Sequence, residues 1–516
     1  MTTTQPVSGL DEACKSSDLV ENDGCLDGSV AYVVGNSPAI VSQILLNLNV
    51  RDIVRCERVS KLWQTYTRLT LANRQQISWF SIRRTRPKAY WEPFAENDIM
   101  VDFFENLKEP IELVFGFGKL PLSRPCDGGS DLIYMQRRFL PPGATVISGM
   151  SSNGIIGTHA ETHSVKEFQK PASKTECFAS LLFPGPTSRR AVAAPFRIRP
   201  FGLSLETLSL IQSDFNDGLE FDPQRLFTSD APDVESSNST QPSCQYENNE
   251  FKLKAMILLT APFVNQASGA DLCELFWDYD RRNRAENANK DSPDRIAIAG
   301  AVVEDILWVK PAARETISPS MLGIAIYGDR SVHAESIVVP AECRSQRHIR
   351  GLLSLFRARF DSRTTRVGCP LNRSNEGRPG PSSSTSPQST PLARANSESL
   401  GRSHFAFMII CCGRGKNLFT HGGVETRLFR EVFPTTPVVG VFSLGEYGYT
   451  SFDVEQKSRG SEVESSEDDN SSQGSERSAS RRRRRRPEEF LARENPDHVP
   501  VMAHSYATVI CVVRVL

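Results

Sequence analysis

The side chains best suited to chemistry lie in a short stretch that contains Cys411 and Arg414 and ends at Gly415. An arginine between two glycines can fork onto a carboxylate or phosphate, because its guanidinium offers paired donors and glycine permits close backbone approach. The carboxylate of Glu446, on the glycine loop Gly445–Gly448, would line the same pocket. These features predict a cleft for a ligand or a protein substrate. The predicted cleft residues are Cys411, Gly413, Arg414, Gly415, Gly440, Gly445, Glu446 and Gly448.

Each of these residues has an alternative role inside the fold. Arg414 could pair with an internal acid, such as Glu425 or Glu446, and only fix the turn, and the Gly445–Gly448 loop could be a plain turn. A catalytic thiol would require a base, for which His421 is nearest in sequence, but thiols at the end of an apolar run are usually inert packing. Zinc-spaced Cys/His clusters and nucleotide-binding glycine motifs are absent. We therefore predict a binding site with no catalytic residue, no metal and no cofactor.

The elements that position this cleft follow from the apolar pattern. A buried strand is predicted over Phe405–Cys412, and a helix over Val424–Phe433, whose apolar residues share one face. Pro434 ends that helix, because its ring cannot continue an α-turn, and Pro437–Phe442 forms a second strand. In α/β folds of this kind, clefts lie at the carboxyl ends of the strands.

The same unit of strand, helix, strand and further strand recurs along the chain, which predicts an α/β body built from three β-α-β-β copies. The glycine spacing G-x4-G-x2-G occurs in copy one (Gly149, Gly154 and Gly157) and in copy three (Gly440, Gly445 and Gly448), while copy two retains Gly300 alone. Chance matching of short apolar runs is the alternative. The predicted elements are Ile111–Phe117, Leu132–Leu140, Ala144–Gly149 and Phe178–Phe183 in copy one; Leu253–Thr260, a helix around Leu272–Tyr279, Arg295–Gly300 and Leu322–Tyr327 in copy two; and Phe405–Cys412, Val424–Phe433, Val438–Phe442 and Ala507–Val515 in copy three.

Composition bounds the class of protein. The 516 residues suffice for two or three domains, and a net charge of −1 argues against a general affinity for nucleic acid or acidic membranes. Twelve cysteines without a CxxC pair indicate a reducing compartment, and no signal peptide or membrane span is predicted, so we expect a cytoplasmic and nuclear protein. Three polar inserts, 226–250, 361–403 and 453–500, are predicted to be disordered. The last insert contains Arg481–Arg486, which could serve as a nuclear-import or polyanion-binding tract. The alternative is that the acidic residues in the same insert simply compensate its charge.

Three short helices are predicted near the N-terminus, where Asp52 and Ser60 can cap the second and third. The pattern from Pro38 to Trp63 resembles an F-box, above all at Val59-Ser60-Lys61-Leu62-Trp63, although Ser37-Pro38-Ala39 replaces the usual Leu-Pro-x-Glu. F-box proteins dock on the SKP adaptor of a cullin–RING ubiquitin ligase. The alternative is that the helices only cap the domain that follows. By resemblance, the adaptor-binding residues are Pro38, Ile44, Leu48, Val59 and Trp63.

Copy three, with CCGRG, PVVGVFSLGEYG and HSYATVI, resembles the C-terminal FIST domain, and segments such as ATVISGMSSNGIIG and RIAIAGAVV resemble its N-terminal partner. The resemblance implies a multidomain chain: a disordered leader (1–29), a three-helix F-box (30–80), and N-terminal (81–340) and C-terminal (341–516) FIST α/β domains. It further implies the substrate-recognition subunit of an SCF-type ligase, which is not itself an enzyme and whose FIST region selects the protein to be degraded. A second hypothesis is a sensor that binds an amino-acid-like small molecule in the glycine-lined cleft, and a third is an enzyme that uses Cys411 or Cys412. No membrane or nucleic-acid partner is expected.

Overall fold

The computed structural model forms two compact units. One comprises the described residues up to Leu48 together with Asp52–Thr70, and the other comprises Asn49–Arg51 and the described residues from Leu71 onward. The leader, most of helix Leu132–Leu140, insert 226–250 and the Arg481–Arg486 run lie outside the described residues. The structure describes residues 36–74, 76–85, 98–119, 140–141, 143–160, 162–169, 175–185, 196–216, 252–264, 266–286, 295–309, 316–317, 319–367, 403–452 and 499–515.

The first unit contains helix α1 (Pro38–Asn47), most of α2 (Val50–Cys56) and most of α3 (Lys61–Asn73). Proline suits the first position of α1, because its missing N–H would have no partner there. The Ser60 hydroxyl accepts a hydrogen bond from the Trp63 N–H (3.3 Å) and caps α3, as predicted. Asp52 was expected to cap α2 but does not, because that helix begins two residues earlier. The Asp52 carboxylate instead pairs with Arg55 (3.0 Å).

The second unit is an α/β fold. Its helices are α4 (Asp98–Glu105), α5 (Leu205–Asn216), α6 (Gln266–Glu286), α7 (Gln346–Val367), α8 (Lys416–Phe419) and α9 (Val424–Val432). Its strands are β1 (Ser78–Thr85), β2 (Ile111–Lys119), β3 (Thr145–Met150), β4 (Gly154–Thr158), β5 (Val165–Gln169), β6 (Thr175–Pro184), β7 (Phe196–Leu203), β8 (Lys252–Thr260), β9 (Ala297–Val302), β10 (Asp305–Val309), β11 (Thr316–Ile317), β12 (Met321–Gly328), β13 (Val332–Val339), β14 (Ser403–Cys411), β15 (Val438–Ser443), β16 (Glu446–Gly448), β17 (Ala503–His504) and β18 (Thr508–Val515). Helix α7 continues through Val367, into the segment that was predicted as an insert from residue 361.

The strands form three mixed sheets with one arrangement in common. Sheet I has the order β1-β6-β2-β3-β10-β11, sheet II has β7-β12-β8-β9-β16-β17, and sheet III has β13-β18-β14-β15-β4-β5. The third and fourth strands of each sheet run parallel, and every other neighbouring pair is antiparallel. The strands of each predicted copy therefore occupy the second, third and fourth positions of one sheet.

The last two strands of every sheet come from a different part of the chain. Sheet I receives β10 and β11, sheet II receives β16 and β17, and sheet III receives β4 and β5, so the exchange closes a ring of three sheets. The predicted domain boundary between residues 340 and 341 consequently divides strands that share sheets II and III. Residues on both sides of that boundary are needed to complete either sheet.

Sheet III is covered on both faces. Alternate side chains of β14 point to opposite sides, as the pleat requires, so that Phe405 and Phe407 enter the central core while Ala406 and Met408 face α7 and α9. The ring of Phe407 lies 5.4 Å from that of Phe115 in sheet I. Burial on both faces explains the continuous apolar run in this strand. None of the described helices combines the length and apolarity needed to cross a bilayer.

Candidate functional site

Arg414 lies in the turn after β14 and is 1% exposed. Its Nη2 is 2.9 Å from Oε1 of Glu425, and its Nε lies 3.2 and 3.3 Å from the two carboxylate oxygens. Glu425 belongs to the first turn of α9, where the helix dipole also stabilises a negatively charged carboxylate. Of the two roles considered for Arg414, the structure therefore shows the pairing with an internal acid.

The other donors of Arg414 also bond to the chain itself. Nη1 donates to the carbonyl oxygens of Tyr506 (2.8 Å) and Pro340 (3.3 Å), and Nη2 donates to that of Cys343 (3.2 Å). The Thr508 hydroxyl donates to Oε1 of Glu425 at 2.8 Å. One guanidinium thus ties the turn after β14 to helix α9, the start of β18 and the segment before α7.

Two residues that sequence reasoning missed complete this arrangement, and both come from β5. The Gln169 carboxamide accepts from the Lys416 N–H (2.8 Å) and donates to the Arg414 carbonyl oxygen (3.3 Å). The Glu167 carboxylate accepts from the Gly423 N–H (2.7 Å) and the Thr426 hydroxyl (2.9 Å), so it caps α9 from the exchanged hairpin. Burial raises the pKa of Glu167, while these hydrogen bonds oppose that shift. No local sequence signal could have identified partners so distant along the chain.

The five glycines of the predicted cleft all face other parts of the chain. Gly415, at φ +57°, and Gly448, at φ +143°, adopt backbone conformations that favour glycine. Groups from elsewhere in the chain therefore occupy the space beside these glycines, where a ligand was expected. If a Cβ were added to each glycine, the nearest group would be the Tyr506 ring for Gly413 (2.5 Å), the Gln169 carboxamide for Gly415 (2.6 Å), the Met408 carbonyl oxygen for Gly440, the Gln266 carboxamide for Gly445 (2.8 Å) and the Ile298 carbonyl oxygen for Gly448 (2.6 Å).

Cys411 and Glu446 are buried together beside this turn. The Ser443 hydroxyl donates to Oε1 of Glu446 at 2.7 Å, and burial raises the pKa of Glu446 to about 7. Burial, and secondarily the neighbouring Glu446, raises the pKa of the Cys411 thiol to about 11. Because the thiolate is the nucleophile, this environment disfavours nucleophilic chemistry at Cys411. Within the described part of the chain, no group of three or more His, Cys, Asp or Glu side chains is placed to hold a metal ion.

The residues predicted to bind the adaptor lie at or near the surface of the first unit. Pro38 is exposed at the start of α1, and Ile44 and Leu48 line a shallow hollow along that helix. Val59, in the turn before α3, is 63% exposed, and Trp63 is half-buried in the first turn of α3. The full lining of the hollow is Ala39, Ile40, Gln43, Ile44, Asn47 and Leu48.

Large apolar side chains are exposed along much of this short N-terminal region. Single exposed apolar residues are normal on a protein surface, but a concentration of them marks an interaction site. The opposite face of α1 is buried through Val41 and Leu45, so the helix presents apolar residues on two sides. The exposed residues are Ile40, Leu46, Val54, Val59 and Leu69.

Compared with known proteins, the chain matches no protein-family model and no curated protein. Two features of its geometry bear on function. The turn around Arg414 is held by contacts within the chain, which suits a rigid scaffold. The N-terminal helices present apolar side chains to the solvent, which suits the binding of another protein.

Proposed function

We propose that this chain is the substrate-recognition subunit of an SCF-type cullin–RING ubiquitin ligase. In this proposal the N-terminal helices are an F-box that binds the SKP adaptor, and the α/β body is a FIST region that selects the protein to be ubiquitinated. The exposed apolar surface of α1 and Val59 is the observation that carries the proposal. The F-box resemblance of Val59 to Trp63 indicates which partner would cover that surface.

The energetics of this surface favour a protein partner. Burying an aliphatic side chain the size of valine or leucine stabilises a complex by about 1.5–3 kcal/mol. Ile44, Leu48 and Val59 retain accessible apolar area that an adaptor could remove from water. The bound subunit would perform no chemistry itself. It would accelerate ubiquitin transfer in the cytoplasm and nucleus by holding a substrate close to the charged conjugating enzyme.

The geometry gives less support to the alternative function, a small-ligand sensor. The Arg414 guanidinium bonds to Glu425 and to three carbonyl oxygens of the chain. The glycines that were expected to line the cleft face internal neighbours. A ligand at this position would therefore have to displace existing contacts, and each such displacement opposes binding.

Co-expression of the full chain with the SKP adaptor tests the proposal. Wild type is expected to co-purify with the adaptor, whereas Val59→Asp should bind at least tenfold more weakly, because it would place a charge in the apolar interface. Val59 is suitable because it is 63% exposed, so its replacement should leave the fold intact. Leu210→Asp, on α5, is the matched control: its side chain is 67% exposed and binding should be unchanged.

The circular dichroism spectrum and thermal midpoint of each variant should match those of wild type, which would separate lost docking from unfolding. Trp63→Ala should also weaken the complex, by about 3–5 kcal/mol if the ring becomes fully buried. The proposal fails if wild type forms no complex with the adaptor. It also fails if Val59→Asp and Leu210→Asp bind the adaptor equally well.

A further inference from the structure

Helix α7 carries a strong local excess of positive charge in a chain whose net charge is −1. Its sequence, QRHIRGLLSLFRARFDSRTTRV, contains six arginines and a single acidic residue. The helix packs against α9 over the outer face of sheet III. At its amino-terminal end, arginines from both helices and from the preceding turn reach the solvent. We call this set the arginine surface: Arg344, Arg347, Arg350 and Arg427.

Contacts between α7 and α9 bring Arg350 and Arg427 together, and Arg347, three residues before Arg350, lies on the same side of α7. Arg427 Nη2 donates to Gln346 Oε1 at 3.2 Å, which joins α9 to the first turn of α7. Arg350 Nη2 lies 2.7 Å from Oε2 of Glu431, and Arg427 Nε lies 4.0 Å from the other oxygen of the same carboxylate. Among the described residues, Glu431 is the one carboxylate within 4.0 Å of the arginine surface. Two of the four guanidinium groups, those of Arg350 and Arg427, therefore share this single carboxylate.

The described segment that ends at Phe452 ends beside α7, and an acidic stretch follows it in the sequence. Phe452 is buried, and its ring stacks on that of Phe356 in the middle of α7, with 5.7 Å between centroids and 14° between planes. The sequence ten residues further on is EVESSEDD, residues 462–469, which contains five acidic residues and no basic residue.

Simple chain dimensions show that this stretch can reach the arginine surface. The nine residues 453–461 can span up to about 30 Å when extended. Along α7, Arg347 is nine residues from Phe356, which corresponds to about 14 Å. The acidic stretch therefore needs no change in the fold to reach Arg347 and Arg350.

We propose that residues 462–469 bind the arginine surface of α7 and α9 in the same chain. Carboxylates and guanidinium groups are complementary in charge and in hydrogen-bond geometry. The short tether supplies an effective concentration on the order of millimolar, so even a weak intrinsic affinity keeps the surface occupied. This contact would shield the arginine surface from acidic segments of other proteins. It goes beyond the ligase proposal and does not depend on adaptor binding.

The test uses a fluorescent peptide of residues 460–472 and the full chain in two forms. One form is wild type, and the other is a neutralised chain in which the five acidic residues of 462–469 are replaced by Gln or Asn. Fluorescence anisotropy at 50 mM salt should show the peptide binding the neutralised chain at least tenfold more tightly than wild type. Wild type should bind weakly because its own acidic stretch already occupies the surface.

Charge reversals in the neutralised chain locate the peptide. Arg347→Glu with Arg350→Glu should weaken binding at least tenfold. Arg347→Glu alone should weaken it severalfold, and this exposed residue can be changed even if the double variant does not fold. The control reverses Arg55 and Arg68, two exposed arginines that also form surface ion pairs, and should leave the affinity unchanged.

Other outcomes overturn the proposal. Equal affinity for wild type and the neutralised chain would mean that the surface binds acidic segments of other molecules and not its own. Loss of binding in the Arg55 and Arg68 control would show nonspecific attraction. Binding that survives reversal of Arg347 and Arg350, but is lost when Arg481–Arg486 are replaced, would assign the acidic stretch to the arginine run in the same insert.

Discussion

Replacing Arg414 by methionine should destabilise the α/β body severely. Methionine retains most of the apolar stem but none of the donors. Glu425, 3% exposed, would keep only the Thr508 hydroxyl among the partners described above. Breaking a buried ion pair by removing one partner typically costs about 3–5 kcal/mol, because a charge remains buried without compensation. The three carbonyl oxygens that Arg414 now satisfies would lose a donor as well.

A second variant separates the buried charge from the lost hydrogen bonds. Combining Arg414→Met with Glu425→Gln removes the uncompensated carboxylate but leaves the three carbonyl oxygens without their donor. At about 1 kcal/mol for each, the double variant should lose about 3 kcal/mol and be more stable than Arg414→Met alone. This inversion, in which a second substitution restores stability, is the signature of a buried internal pair.

Urea unfolding of the full chain at pH 7, followed by far-ultraviolet circular dichroism, measures both effects. For a unit of this size, Arg414→Met should lower the midpoint by roughly 1 M. Arg281→Met is the control, because the Arg281 side chain is 57% exposed and Asp278, its partner at 2.9 Å, also pairs with Arg282, so the loss should be less than about 1 kcal/mol. If Arg414→Met unfolds within about 1 kcal/mol of wild type, the internal pairing does not hold the turn, and the ligand-binding role of Arg414 regains support.

Two further predictions concern the same region. Gly415→Ala should destabilise the chain by at least about 2 kcal/mol, because an added Cβ at φ +57° would lie 2.6 Å from the Gln169 side chain. Gly423→Ala, at φ +80° but with open space around it, should cost only about 1 kcal/mol. Equal losses of stability in urea unfolding would contradict this difference. Burial raises the pKa of Glu446 from 4.5 to about 7, so the stability that its protonated form contributes is complete below pH 4.5 and is lost as the pH rises through 7. Glu446→Gln should therefore stabilise the chain by roughly 3 kcal/mol at pH 8 but far less at pH 5, and a difference that does not vary with pH would refute the assignment.

Local patterns predicted two elements beside the candidate site well, but the expected glycine loop Gly445–Gly448 is largely a strand, β16 (Glu446–Gly448), which pairs with β9 and β17. The helix expected over Val424–Phe433 spans Val424–Val432, and the strand expected over Phe405–Cys412 spans Ser403–Cys411. Both depend on periodicity within a few residues, which the sequence displays directly. The capping role of Ser60 was predictable for the same reason, since its partner is three residues away. Asp52 was misplaced because the start of a short helix can vary by one or two residues without changing its pattern.

The partner of Arg414 illustrates a limit of local reasoning. The sequence offered Glu425, Glu446 or an external ligand, all chemically reasonable for a guanidinium between glycines. Helix α9 brings Glu425 to within 2.9 Å, and the pKa of the other acid, Glu446, is raised by burial near Ser443. The choice depended on the position of a helix relative to a strand, which no spacing in the sequence specifies.

By itself, the sequence determined the strands of the three copies and two of their helices, the recurrence of the unit, and the apolar character of the N-terminal helices, but not elements such as β5, β13 and α7. Apolar periodicity and turn residues act within a few positions, so a linear reading captures them. Only the tertiary structure decided that each sheet takes its last two strands from another copy, and that Gln169 and Glu167 thereby hold the turn after β14 and the start of α9, some 250 residues away. Such contacts depend on the packing of whole sheets, which stabilises the protein only when segments distant in sequence meet. Neither segment therefore carries a sequence pattern that identifies its partner.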